Sequence, residues 1–419
     1  MDGFYTVEKT VFSFDDSAHI SSVYGSAATG AIVVPGDGTN NILTITMAGP
    51  DNGTYVLDGG APQFFTGCTS FTFNASDGDD QLILNQSASL IGSDCDFTYN
   101  GQGQATTPNG DRLSFVGGSP NTVMHSFTNA NDGSVTIDPD GGSTTNAGVV
   151  IYTGLEPVSD NMDAANRQFD FTGGTETITL MDAAGANNTI DSTLGESVTF
   201  ANPTTSLTIN AGSGAATITI NSVDAAFAAS LTINGDAGTN TVSFTGTVTC
   251  SALTVDVSDS ISNTSSANVS VTNNASLTGG TITLGTVAGD VFNFGSFTFS
   301  SAGAVSIAED SATTLAGAST AGSLALTAAG AIDDGTTADV SVTGAASLTA
   351  TASTITLGND AGNDTNFGSI SLSGTTLSVS EDSAATFDTV SVTTLTYTAA
   401  GPIDDGTTAD VSVTGAASL

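Results

Sequence analysis

Along most of the chain, apolar and polar residues alternate in short runs. Ser206-Leu207-Thr208-Ile209, Ala216-Thr217-Ile218-Thr219-Ile220, Ser230-Leu231-Thr232-Ile233 and Thr241-Val242-Ser243-Phe244 are representative. A period of two sends Leu, Ile, Val and Phe to one face and Ser and Thr to the other, which predicts β-strands with one buried face. No stretch holds the 3.6-residue period of an amphipathic helix. Gly, Asn and Asp fill the gaps, where the chain must turn with positive φ or with side-chain-to-backbone bonds.

These strands sit inside a repeat. The run Ile332–Leu348 returns unchanged as Ile403–Leu419, 71 positions later. Thr281-Ile282-Thr283-Leu284-Gly285 likewise answers Thr354-Ile355-Thr356-Leu357-Gly358, and Glu309-Asp310-Ser311-Ala312 answers Glu381-Asp382-Ser383-Ala384. A shorter beat runs within it: Leu207, Leu231, Leu253, Leu277, Leu324, Leu348, Leu372, Leu395 and Leu419 recur at about 24 residues or twice that. A fixed beat of this size predicts an all-β fold, a parallel β-helix (β-solenoid) of roughly 24-residue coils. Leu324, Leu348 and Leu372 are then expected on adjacent coils. The solenoid is expected over 156–419, with long repeats at 253–323, 324–394 and 395–419. Residues 1–155 hold most of the prolines and tyrosines, and predict a less regular β region or a cap that covers the first strand edge. Cys68 and Cys95 stand 27 apart, close to one coil, so both a disulfide and two separate thiols fit them, with Cys250 left over.

Charge narrows the function classes. Asp and Glu total 42 against 3 Lys and Arg, a formal net charge of −39. Lys9, Arg112 and Arg167, with His19 and His125, are all the basic side chains. Such a surface repels nucleic acid and anionic lipid and draws cations. No run of about 20 apolar residues is present to insert in a membrane. The N-terminus shows no basic and apolar leader, and both ends read as the edges of an excerpt, so export signals are expected outside it.

The Ala-Ser-Leu-Thr, Ile-Thr-Leu-Gly and Gly-Ala-Ile-Asp-Asp-Gly phrases, over about residues 169–419, resemble the strand repeats of large bacterial surface proteins of the filamentous-haemagglutinin and autotransporter-adhesin type. The resemblance implies right-handed parallel β-helices that project from a cell and contact other surfaces. It predicts a rigid spacer or adhesive segment, extracellular or on the cell surface. Its partners would be surface or matrix components, polysaccharide, or further copies of itself.

The chemical candidates are acidic. Asp77-Gly78-Asp79-Asp80-Gln81-Leu82 is similar to the second half of the RTX nonapeptide, in which loop oxygens of adjacent coils share Ca²⁺. A hard cation needs several oxygens at once. Here Ala75 and Ser76 replace the paired glycines, and no second nonapeptide follows. Asp236 opens a related turn in which Asn240 takes the Asp position. Calcium at Asp77, Asp79, Asp80 and Asp236 is thus the candidate cofactor and the rival reading, a calcium-binding module stabilised on export. Asp333-Asp334 and Asp404-Asp405, with Glu309-Asp310 and Glu381-Asp382, are expected to be Asx-type turns. Their copies are expected in line, three coils or about 14 Å apart. A polysaccharide-acting enzyme is the remote reading, because every basic residue precedes position 170 and acid–base work on a sugar wants a grouped set. Thr177/Thr179, Thr217/Thr219, Thr281/Thr283, Thr354/Thr356 and Thr396/Thr398 miss the 24-residue beat, so no single threonine ladder of the ice-binding kind is expected.

Overall fold

The computed structural model describes residues 27–104, 110–141, 144–171, 174–236, 238–407 and 409–419. Lys9, His19 and Ala237 lie outside them. The described chain is all-β, with strands joined in a long sheet and a single short 3₁₀ turn at Thr144–Asn146. It divides into two compact units, one ending at Gln168 and including Gly195–Ala201, the other comprising Phe169–Leu194 and Asn202–Leu419.

The first unit mixes parallel ladders with hairpins. Strands Ile42–Gly49, Gln81–Asn85, Arg112–Val116, Val158–Asn161 and Val198–Ala201 follow one another in parallel, aligning Leu43, Leu82, Leu113, Val158 and Val198. A second parallel ladder joins Ala28–Pro35, Gln63–Asn74, Asp96–Asn100 and Gly148–Thr153. Antiparallel excursions interrupt both: Asn52–Leu57 folds back on Ile42–Gly49, and Thr122–Phe127, Gly133–Asp138 and Gly148–Thr153 form a meander. The interior is aromatic, with Phe71 stacked on Phe97 at 5.6 Å and Phe73 on Tyr99 at 5.2 Å. Cys68 and Cys95 are paired in a disulfide, with Cα atoms 5.1 Å apart.

In the second unit the chain visits three parallel ladders in cyclic order. Leu253–Asp256 is followed by Ser260–Asn263 and Asn268–Thr278, whose Ala275 then lies on Leu253. The first ladder aligns Leu207, Leu231, Leu253, Ala275 and Phe297. The second aligns Ile218, Val242, Ile261, Ile282, Val305, Leu324, Ala346 and Ile370. The third begins with Val248, Val269 and Phe292. Every apolar member named here is buried. Each fully buried Leu or Ile side chain contributes about 1.5–3 kcal/mol, so the inward column is the main stabilising feature.

The beat is looser than the leucine spacing predicts. Leu207 faces Leu231, a step of 24, but Val305 faces Leu324 and Leu377 faces Leu395, steps of 19 and 18. Corners absorb the difference, since only strand length is fixed by the ladder. One leucine is misplaced as a result. Leu348 lies on Leu372 as expected, but the residue facing Leu348 on the other side is Leu326, and Leu324 faces Ala346.

The long repeat does not close on itself either. Ile332 stands in a ladder with Ile355, Leu377, Leu395 and Ala417. Its copy Ile403 instead pairs with Ala385, whose strand also carries Phe387 facing Ile370. The expectation that Asp333 and Asp404 stack in line is therefore wrong. The 71-residue unit holds three circuits plus one further strand, so each copy is displaced to the next ladder. Threonine pairs form short ladders, Thr177/Thr179 with Thr217/Thr219 and Thr354/Thr356 with Thr376/Ser378 and Thr394/Thr396, rather than one long one.

The ladder displacement is directly testable with engineered cysteines. D333C with T356C, which face each other, should link with a short bifunctional reagent. D333C with D404C should not. Efficient linking of the second pair, read by peptide mapping, would restore the in-line repeat.

Candidate functional site

The calcium candidates fold in different ways. Asp77 is exposed, in a two-residue strand Asp77–Gly78 paired with Gly103–Gln104. Asp79 donates its amide to Asn40 Oδ1 at 3.0 Å. Asp80 turns inward and is 1% exposed. Asp236 is an exposed residue of the other unit, and its carbonyl accepts from Asn240 Nδ2 at 3.1 Å. Asn240 itself is fully buried and takes the amide of Ala216 on Oδ1, so it plugs a corner. Among the described residues, no set of three or more His, Cys, Asp or Glu side chains converges as a metal site.

What the fold builds around Asp80 is a column of acids. Two positions before each member of the Leu43, Leu82, Leu113, Val158, Val198 ladder stand Asn41, Asp80, Asp111, Glu156 and Glu196. Parallel pairing brings them onto successive circuits, roughly 4.8 Å apart. The Asn41 amide donates to Asp80 Oδ1 at 2.6 Å, and the Asp80 amide donates to Asp111 Oδ1 at 2.7 Å. Asn131 Nδ2 donates to Glu156 Oε1 at 2.9 Å. The second oxygens of Asp80, Asp111 and Glu156 are buried without a hydrogen-bond partner, as are the Tyr99 and Tyr152 hydroxyls, whose strands pair residue for residue. Two further acids border the outer end, with Asp58 taking the Ile42 amide and Asn41 Nδ2, and Asp37 capping Thr39.

Burial dominates the electrostatics. It pushes Asp80 up to about 6, against the Asn41 amide and with help from Asp37, Asp58 and Asp79. It pushes Asp111 up to about 7, against the Asp80 amide and with help from the Asp80 and Asp79 charges. The Tyr99 hydroxyl is raised by burial and then by Asp111 and Asp80. An uncompensated carboxylate in such surroundings favours its neutral form.

The repeat acids are also more interior than a turn reading allows. Glu309 and Glu381 are 4% and 2% exposed. Glu309 Oε1 accepts from the Phe294 amide at 2.7 Å and Oε2 from the Thr313 hydroxyl. Glu381 accepts from the Phe367 amide at 3.0 Å and from the Tyr397 hydroxyl. Asp310 and Asp382 cap the amides of Phe292 and Thr365 on the preceding circuit. These are cross-circuit acceptors at corners where a ladder carbonyl is lacking. Asp333 and Asp404 are strand residues rather than the expected turns, each accepting only the next residue's amide, and the buried Asp334 accepts from the Gly358 amide at 2.7 Å and Asn363 Nδ2 at 2.9 Å. Burial pushes Glu309 up to about 8.

Arg167 and His125, two of the few basic residues, lie fully buried on one carboxylate, Asp160, and burial lowers the His125 pKa from its usual value. Arg167 also donates to the carbonyls of Met162 at 2.5 Å and Ala201 at 2.8 Å, and its guanidinium lies 5.7 Å from the Phe200 ring. Burial works to raise Asp160, but Arg167 and then His125 outweigh it and hold the carboxyl below its usual range. This cluster ties strands together and is closed to solvent. Sequence reasoning missed both it and the acidic column, since the column's members stand at unequal intervals and no motif joins them.

Residues 302–373 match the model of a family described as repeats of unknown function, DUF5649. That window is about the length of the 71-residue unit, so the repeat character of this stretch has independent support. No curated protein and no solved structure matches the chain.

The raised acids set the sign of the pH dependence. Asp80, Asp111 and Glu309 bind a proton more tightly folded than unfolded. Their stabilising contribution is complete below the unfolded carboxylate range, near pH 4, and is lost as pH rises through about 6 to 8. The melting temperature should therefore rise on acidification from about pH 8 to about pH 5, by on the order of 5 °C. D111N should flatten that response. A melting temperature that falls over this interval contradicts the neutral-acid assignment.

Proposed function

We propose that the chain is a structural element of the β-helix type, whose second unit is a rod of circuits stacked about 4.8 Å apart, and that it serves as a spacer or contact segment in a bacterial surface protein. The observation that carries this reading is the cyclic return of the second unit through three in-register parallel ladders, with one apolar residue after another aligned inward. Such a column supplies stiffness without any cleft or cofactor. Each circuit holds its neighbours through backbone hydrogen bonds along the strands, and outward Ser and Thr line the surface.

The net charge of −39 bears on where such a rod would work. It disfavours nucleic acid and anionic membranes and suits neutral polysaccharide or matrix partners in a medium rich in cations. The one-ladder displacement of the 71-residue unit would turn equivalent surfaces to successive faces, so contacts would be offered around the rod rather than along one side.

Single-molecule pulling between the two ends of the second unit tests the load-bearing role. A stacked rod should yield in small steps, each releasing one circuit, such as the 22 residues from Leu231 to Leu253. That is an extension of about 70–80 Å per step. A single rip of the whole unit would contradict the reading.

A further inference from the structure

The acidic column poses a chemical problem that the rod reading does not solve. Asp80 and Asp111 occupy adjacent circuits, each with one oxygen fixed by a neighbour's amide and the other buried and unsatisfied. The Tyr99 hydroxyl is also buried and unsatisfied, and it feels both carboxylates electrostatically. A fourth oxygen lies beside them: a Cβ placed on Gly101 would strike both Asp111 Oδ2 and the Gly154 carbonyl. Glycine at position 101 is what lets these two oxygens approach the backbone so closely.

Among the described residues, the basic side chains are placed elsewhere. Arg167 and His125 are engaged on Asp160, and the Arg112 side chain is exposed. Two ionised carboxylates on adjacent circuits, one of them bonded to the other's amide, would repel strongly in a low-dielectric site. Two carboxylate oxygens, a phenol oxygen and a carbonyl are the ligand types of a hard divalent ion, and two Asp charges are neutralised by one such ion.

We propose that Asp80 and Asp111, with the Tyr99 hydroxyl and the Gly154 carbonyl beside them, form an internal site for a divalent cation of the Ca²⁺ class. The ion bridges two consecutive circuits of the first unit and locks their register. This site differs from the loop set of Asp77, Asp79, Asp80 and Asp236, sharing only Asp80 with it, and it stands whether or not the second unit acts as a rod. Cation and proton compete for the same oxygens, so binding weakens in acid.

Terbium luminescence tests it, because Tb³⁺ mimics Ca²⁺ and emits when excited through a nearby tyrosine, and the chain has no Trp. With TbCl₃ in moderate salt and excess MgCl₂, the wild type should show saturable, tyrosine-sensitised emission that CaCl₂ displaces. Y99F, which keeps the stack on Phe73, should lose most of that emission. D111N should weaken binding by about tenfold or more. The surface control D236N should match the wild type. CaCl₂ should raise the melting temperature at about pH 8 and much less at about pH 5, where protons occupy the site. If D111N fails to fold, Y99F with the calcium melts decides the matter. Emission unaffected by Y99F, or a calcium effect equal in wild type and D111N, would overturn the proposal and leave the column holding protons alone.

Discussion

The constraint on which the rest depends is in-register return. A parallel strand has to meet its neighbour residue for residue, or inward Leu, Ile and Val swap places with outward Ser and Thr. Once Leu231 lies on Leu207, Ile233 must lie on Ile209, and the interior becomes a continuous apolar column. Backbone hydrogen bonds and burial then act on the same geometry. Corners are free to vary because nothing in the ladder specifies them, which is why the step is 24 residues from Leu207 to Leu231 but 17 from Ile370 to Phe387, and why register shifts fall at a few places such as Ile370/Leu372.

The same return that aligns apolar residues aligns whatever stands beside them. In the second unit this is benign. Glu309, Glu381, Asp310 and Asp382 reach across to amides of the preceding circuit and take over where the ladder has no carbonyl to offer. In the first unit it stacks Asp80, Asp111, Glu156 and Glu196 in file. A protein with 42 acidic residues has thus placed several of them where charge is least tolerated. Burial of Arg167 on Asp160, with His125 hydrogen-bonded to the same carboxylate, shows the other solution, in which the protein supplies its own counter-charge.

Much of this was legible in the sequence, and what was not has physical reasons. Period-two alternation identified strands such as Ser230–Asn234, because sterics send neighbouring side chains to opposite faces. The long repeat was plain from Ile332–Leu348 and its copy. Its phase was not, since identical text does not tell how many strands make a circuit, and Asp333 and Asp404 were accordingly set in line. The leucine beat placed Leu348 on Leu372 but put Leu324 two residues out, because a constant interval was assumed where corners shorten it. In the acidic column, hairpins such as Ile42–Gly49 with Asn52–Leu57 intervene between Asn41 and Asp80. Only the fold brings those two residues together.

The central claim, that circuits are interchangeable layers held by register, is tested most directly by removing one layer. Deleting Leu253–Asn274 joins Ala252 to Ala275, which already takes Leu253's place one circuit on, and so should hand Leu231 a new partner with every face in phase. Circular dichroism and denaturant unfolding should show β structure and a cooperative transition, with only a modest loss of stability. Deleting Leu253–Asn263 alone removes two of the three faces and should abolish that transition. Equal behaviour of the two deletions, or collapse on removing the full circuit, would contradict the account.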